Sequence, residues 1–221
     1  MKIILGGIAS PNPSYPQTIK SVTGNNNVVV RNSDNTQSQT LPLNLGTIEL
    51  NKIGTYQDYI YKNNGNWYKH EVIPKLILNG NETWNRIANI ITGSDLYRIA
   101  FYDYERNVGC FSNYYKGITN QTGRENFNIY LLTTTNANNI DIIDNRFTSV
   151  DGFKNWLKDN NVTFYYPTTN PTDIQITDTN LISQLEAIDN MQSYNGTTII
   201  TSTYDSNNAQ MIIEGSALKG N

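Results

Sequence analysis

The sequence predicts a mainly β protein, an antiparallel β-sandwich of jelly-roll or lectin-like type with two short α-helices at about 149–160 and 178–190. Short runs of β-branched and aromatic residues recur at close spacing, separated by Asn/Gly-rich turns. Asn64-Gly65 between Tyr56–Tyr61 and Asn66–Val72 is a type I′ hairpin signal. Helical periodicity is sustained in only two places, and no internal repeat is visible.

From the N-terminus, Lys2 precedes Ile3-Ile4-Leu5-Gly6-Gly7-Ile8-Ala9, a run too short for a signal peptide and lacking an A-x-A-like site. It reads as a first strand or a piece of linker. Pro11, Pro13 and Pro16 fix φ and push each preceding residue toward extended geometry, so residues 1–16 read as a stiff arm or linker. A single β-sandwich domain with helical additions is expected over 17–221.

Alternation starts at Ile19 and Val22, and Val28-Val29-Val30 follows. Thr47 to Ile53 alternates with Ile48, Leu50 and Ile53 inward. Further strands are expected at Leu76–Leu78, Tyr97–Tyr104, Gly109–Phe111, Asn128–Leu132, Ile140–Ile143, Val162–Tyr166, Thr197–Ile200 and Met211–Ile213. In the first helix, Thr148 and Asp151 have capping-box spacing, and Val150, Phe153, Trp156 and Leu157 form the apolar stripe. In the second, Asp178 is the N-cap and Leu181, Ile182, Leu185 and Ile188 line one face.

Composition excludes several functions. A net charge of −3 with 16 scattered Lys and Arg offers no basic cluster for consecutive phosphates, so no nucleic-acid partner is expected. No apolar run approaches the roughly 18 residues of a membrane span. Neither a P-loop nor a G-x-G-x-x-G motif occurs, and no cofactor is expected. Cys110 is the only cysteine and His70 the only histidine, which excludes an intrachain disulfide and a cysteine-based zinc cluster. Cys110 is expected to be a small buried hydrophobe and His70 a strand residue. Asp141-x-x-Asp144 is expected in a solvated loop, since spacing supplies too few oxygens for calcium. Charged residues make up only 16% of the chain, so Asn, Thr, Ser and Gln must cover much of the surface. Such a surface suits neutral ligands such as sugars, and equally suits drift in an AT-rich genome.

The segment Asp95–Arg124 is the strongest sequence candidate for ligand chemistry. Aromatic rings stack on the C–H faces of sugars, while Asp, Asn and Arg exchange hydrogen bonds with the hydroxyl rim. The candidate carbohydrate-binding residues are Tyr97, Arg98, Tyr102, Asp103, Tyr104, Asn113, Tyr114, Tyr115 and Arg124, joined by Trp84 after the polar loop 79–81. Alternation groups Tyr97 with Ile99, Arg98 with Ala100, and Tyr102 with Tyr104 as a flat platform. The same tyrosines also fit any half-buried pleated surface. Trp67 is expected as a core anchor, and Trp156 as a buried member of the first helix stripe. No pair of carboxylates is singled out for glycoside hydrolysis, so no catalytic residue is assigned.

An ordered set of motifs carries a family resemblance. Ser10-Pro11-Asn12-Pro13-Ser14-Tyr15-Pro16-Gln17-Thr18-Ile19-Lys20-Ser21-Val22 is followed by Leu43–Leu50, Ile53–Tyr61 and Gly65-Asn66-Trp67-Tyr68. Then come Asn145-Arg146-Phe147, Phe153–Leu157, Val162–Tyr166, Pro171-Thr172-Asp173 and Ile182–Leu185, with 84–139 the least similar stretch. This series resembles the C-terminal domain of tail-fibre, tail-tip or receptor-binding proteins of Gram-positive siphophages and prophages. The resemblance implies a virion or phage-like tail location and a non-catalytic receptor-binding role. Its implied partners are a host cell-wall or surface polysaccharide and other tail proteins, with a homotrimer by tail-fibre analogy. It also implies that the chain is either a fragment of a longer tail protein or a small stand-alone one. Two other readings remain: a structural tail or baseplate domain that binds no glycan, and a glycan depolymerase.

Overall fold

A computed structural model of the chain describes residues 2–6, 20–31, 38–91, 94–105, 109–118, 125–133, 138–190, 200–203 and 210–214. The proline-rich stretch 11–16 and the loop 205–208 lie outside them. In chain order the first strands are β1 (Lys2–Gly6), β2 (Lys20–Val22), β3 (Asn25–Arg31), β4 (Ser38–Asn44), β5 (Leu50–Ile53) and β6 (Tyr56–Gln57). Next come β7 (Tyr59–Asn63), β8 (Asn66–Glu71), β9 (Lys75–Leu78), β10 (Asn85–Ile91), β11 (Ser94–Ala100) and β12 (Phe111–Ser112). The chain continues through β13 (Lys116–Ile118), β14 (Asn128–Thr133), β15 (Asn138–Ile143), α1 (Val150–Asn160) and β16 (Val162–Tyr165). It ends with β17 (Thr172–Gln175), α2 (Thr179–Asn190), β18 (Ile200–Thr203) and β19 (Gln210–Glu214). The fold is mainly β, with several antiparallel sheets and two helices where helical periodicity predicts them, and is consistent with a β-sandwich.

Two expectations about organisation change. Residues 2–6 take the first-strand reading rather than the linker one: the β-branched run makes β1 a strand between β7 and β19, with Ile3 opposite both Ile60 and Ile213. Nor do the described residues from 17 onward gather around one core. They fall into two compact units, one of 2–6, 20–72 and everything from 171, the other of the described part of 73–170. Chain return is the physical reason, because β17 pairs with β8 and β19 with β1, carrying the chain after residue 171 back to its first strands. Pro74 and Pro171 stand at the two crossings.

The first unit holds an eight-stranded sheet, β17-β8-β7-β1-β19-β18-β3-β4, and a three-stranded sheet, β2-β5-β6. Its core gathers Leu43, Leu45, Leu50, Ile60, Trp67 and Ile176 with Leu181, Leu185 and Ile188 of α2. Asp178 caps α2 as expected, accepting from the Asn180 and Leu181 N–H groups at 2.9 and 3.1 Å. Asn64 and Gly65 both have positive φ, 48° and 81°, as a type I′ turn requires. Trp67 is buried, and its indole N–H donates to Glu186 at 2.8 Å. The expected strand start at Thr47 moves to Leu50, because Gly46 turns the chain at φ +58°.

The second unit combines the sheet β10-β11-β15-β14-β13, whose β13–β14 pair is parallel, with the antiparallel sheet β12-β16-β9. The strand β11 stops at Ala100, so Phe101–Glu105 is loop rather than strand. Helix α1 buries Phe153 and Leu157. Its N-cap is Ser149, whose Oγ accepts from the Gly152 N–H at 3.1 Å, one residue later than the capping-box spacing indicates. Gly80 (φ +80°) lies so close to this helix that a Cβ there would stand 2.1 Å from the Lys154 carbonyl oxygen.

Candidate functional site

The residues that sequence analysis nominates do not share a surface. Tyr97 is fully buried, stacked on Phe153 at 4.1 Å with its hydroxyl donating to the Phe147 carbonyl, and burial pushes its phenol up to about 12. Trp84 is buried edge-on to Phe153, its indole N–H donating to Glu82 at 3.0 Å, so it has no ring face to offer a sugar. The Tyr102–Tyr104 platform does not exist: Tyr102 is 69% exposed and Tyr104 only 3%, since both lie in loop and strand alternation does not apply. Arg98 is bound through Nε and Nη2 to both oxygens of Asp141, each at 2.7 Å. Asp103 accepts from the Thr168 and Thr169 hydroxyls and the Asn170 amide, tying its loop to the 168–170 turn. Asn113 pairs with Thr163 through its own N–H and its side-chain oxygen. Arg124 lies outside the described residues.

Of the nominated set, Tyr114 and Tyr115 enter a real cluster, and its other members come from later in the chain. The turn after β12 is pinned by Ser112 Oγ, which accepts from the Tyr114 and Tyr115 N–H groups at 3.2 Å. That turn exposes Tyr114 and buries Tyr115. After β15 the chain places Asp144 in the interior, where Arg146 Nε and Nη2 donate to its two oxygens at 2.9 and 2.6 Å. The Tyr115 hydroxyl donates to the same carboxylate at 2.8 Å, and Arg146 Nη1 donates to the Tyr114 hydroxyl at 2.8 Å. Burial and the Asp144 charge raise the Tyr115 phenol well above its ordinary value, so it remains a donor. The hydrogen bonds to Asp144 likewise raise Arg146, which stays cationic.

Four rings surround this guanidinium: Trp156 at 4.4 Å, Phe147 at 5.0 Å, and Tyr114 and Phe127 at 5.2 Å from ring centre to Cζ. Phe127, just before β14, is held between β15 and β13: its N–H donates to the Ile143 carbonyl and its carbonyl accepts from the Lys116 N–H. Its φ of +66° is an outlier for a bulky residue, a strain that persists only when surroundings fix it. Phe127 and Tyr114 nevertheless remain 37% and 45% exposed. Four separate segments therefore converge to place an arginine among aromatic rings. Trp156, expected to be buried, is only half-buried, its ring 4.7 Å from that of the exposed Tyr114. The sequence signal for Arg146 and Phe147 is their position between β15 and the α1 stripe, too generic to single them out unaided.

Asp141 and Asp144 are both fully buried and arginine-paired, correcting the solvated-loop reading. Cys110 is buried, its thiol raised to about 12 by desolvation, as a small interior hydrophobe should be. Among the described residues no group of three or more His, Cys, Asp or Glu could hold a metal ion. No described helix is long and apolar enough to cross a membrane.

A second aromatic set lies on the first unit, where His70 is the strand residue expected of it. Tyr59 stacks on His70 at 4.6 Å and Tyr61 on Tyr68 at 5.5 Å, both directly opposed cross-strand pairs of β7 and β8. Asp173 Oδ1 lies 2.7 Å from His70 Nδ1. These rings face one another, which reinforces the sheet and leaves little ring face for a ligand. Comparison with family models, with curated proteins and with solved structures gave no match.

Proposed function

We propose that this chain is a non-catalytic adhesion module that binds carbohydrate of a Gram-positive cell surface, as part of a phage or prophage tail. The observation that supports it is the cluster around Arg146: exposed Tyr114 and Phe127, half-buried Trp156, and a guanidinium locked by buried Asp144. Rings held rigid before binding lose little entropy when a sugar stacks on them. The ordered motif series that resembles siphophage tail proteins supplies the biological setting. Weak single sites suffice when many copies act together, since later contacts become intramolecular.

A structural tail domain is the second reading, favoured by Ile174 and Ile77, which are 47% and 48% exposed on the edge strands β17 and β9. Depolymerase chemistry finds less support, because Asp141 and Asp144 are sealed in ion pairs. The test is binding of the labelled chain to host cells before and after their wall glycans are stripped. Adhesion predicts loss on stripping; equal binding to both cell preparations contradicts it. New reducing ends on incubation with wall polysaccharide would favour the depolymerase instead.

A further inference from the structure

We infer that the Arg146 cluster is built for a neutral N-acetylated amino sugar, with the acetamido group seated against Arg146 and its flanking rings. This rests on the adhesion reading and names the ligand class of the same site.

Charge is the first consideration. The Arg146 cation is already matched by Asp144, whose two oxygens it holds, with Tyr115 donating a further bond to that carboxylate. An incoming carboxylate or phosphate would meet a neutralised pair rather than a free cation. Lys116, whose N–H donates to the Phe127 carbonyl, and Glu125, two residues before Phe127, are both exposed and cancel in formal charge. A full negative charge on the ligand therefore gains little here.

Donors are the second. A guanidinium carries five N–H groups, and three are used, by Asp144 twice and Tyr114 once. The two that remain call for an uncharged acceptor such as an amide carbonyl. Apolar surface is the third, because the exposed parts of Phe127 and Tyr114 offer contact to a methyl group and to the C–H face of a pyranose. An acetamido sugar supplies the carbonyl, the methyl and the ring face together. Removing the acetyl group deletes two of these and leaves an ammonium, which has no lone pair to accept from Arg146.

Calorimetric titration of the full chain tests this, using an N-acetylglucosamine oligomer, the matching glucosamine oligomer, polyglycerol phosphate and purified host-wall polysaccharide. The acetylated oligomer should bind at least about tenfold more tightly than either of the first two alternatives. Tyr114→Ala and Phe127→Gly, each checked for native circular dichroism, should both weaken that binding by about tenfold or more. Equal or tighter binding of the glucosamine or phosphate polymer overturns the acetamido assignment and leaves adhesion standing. Binding of wall polysaccharide alone has the same meaning. No binding to any of the four removes both readings, and full binding by both variants moves the site elsewhere.

Discussion

Arg146 grips Asp144 through two parallel hydrogen bonds, and two exposed rings, Tyr114 and Phe127, stand against the guanidinium so held. The carboxylate is wholly buried, while the guanidinium side chain keeps about a third of its surface exposed (34%). One partner anchors and the other presents.

Asp144→Asn is predicted to destabilise the protein by about 2–4 kcal/mol. Breaking a fully buried pair costs roughly 3–5 kcal/mol, and the exposure of Arg146 discounts that figure. Urea unfolding measures the loss. A change below about 0.5 kcal/mol would mean that the pair does not organise the cluster.

Phe127→Gly separates binding from stability. Glycine tolerates the φ of +66°, relieving strain of about 1–3 kcal/mol, while added chain entropy and the lost ring contacts oppose the gain. Stability should stay within about 1 kcal/mol of the parent while sugar binding falls.

Two glycines with positive φ should respond differently to alanine. At Gly65 nothing lies within 4 Å of the added Cβ, so the cost is the left-handed backbone alone, about 1–2 kcal/mol. At Gly80 the Lys154 carbonyl oxygen stands at 2.1 Å, so helix α1 must shift and the cost should exceed that at Gly65 by about 1–3 kcal/mol. Thermal unfolding of the two variants compares them directly.

The fold class, the two helices, the Asn64-Gly65 hairpin and the Asp178 cap were legible because each rests on local pattern. The surface was not. Tyr97 and Trp84 carry the same aromatic signal as Tyr114, and only the packing of α1 on the sheet decides that Phe153 covers the first two. Arg146 and Phe127 reach the site through a loop and a left-handed turn, which leave no periodicity to read. Asp141 and Asp144 read as solvated because their arginine partners cannot be assigned from spacing; Arg98 lies 43 residues from Asp141.

Acid should weaken the first unit through Glu186. The hydrogen bond from Lys62 holds its carboxyl below its ordinary value, burial opposes this, and the Trp67 indole adds to the lowering. A depressed folded pKa contributes stability that is present above the unfolded value, about 4.3, and is lost as pH falls through the folded one. The drop in urea midpoint between about pH 5 and pH 3 should therefore be smaller in Glu186→Gln than in the parent. An identical drop would assign the acid sensitivity to other carboxylates.

The most direct test of glycan adhesion through the Arg146 cluster is a heteronuclear NMR titration of the intact chain with host-wall polysaccharide. The Trp156 indole and Arg146 Nε–H signals should move, together with the amides of Tyr114 and Phe127. Saturating polysaccharide that leaves these four signals in place would contradict it.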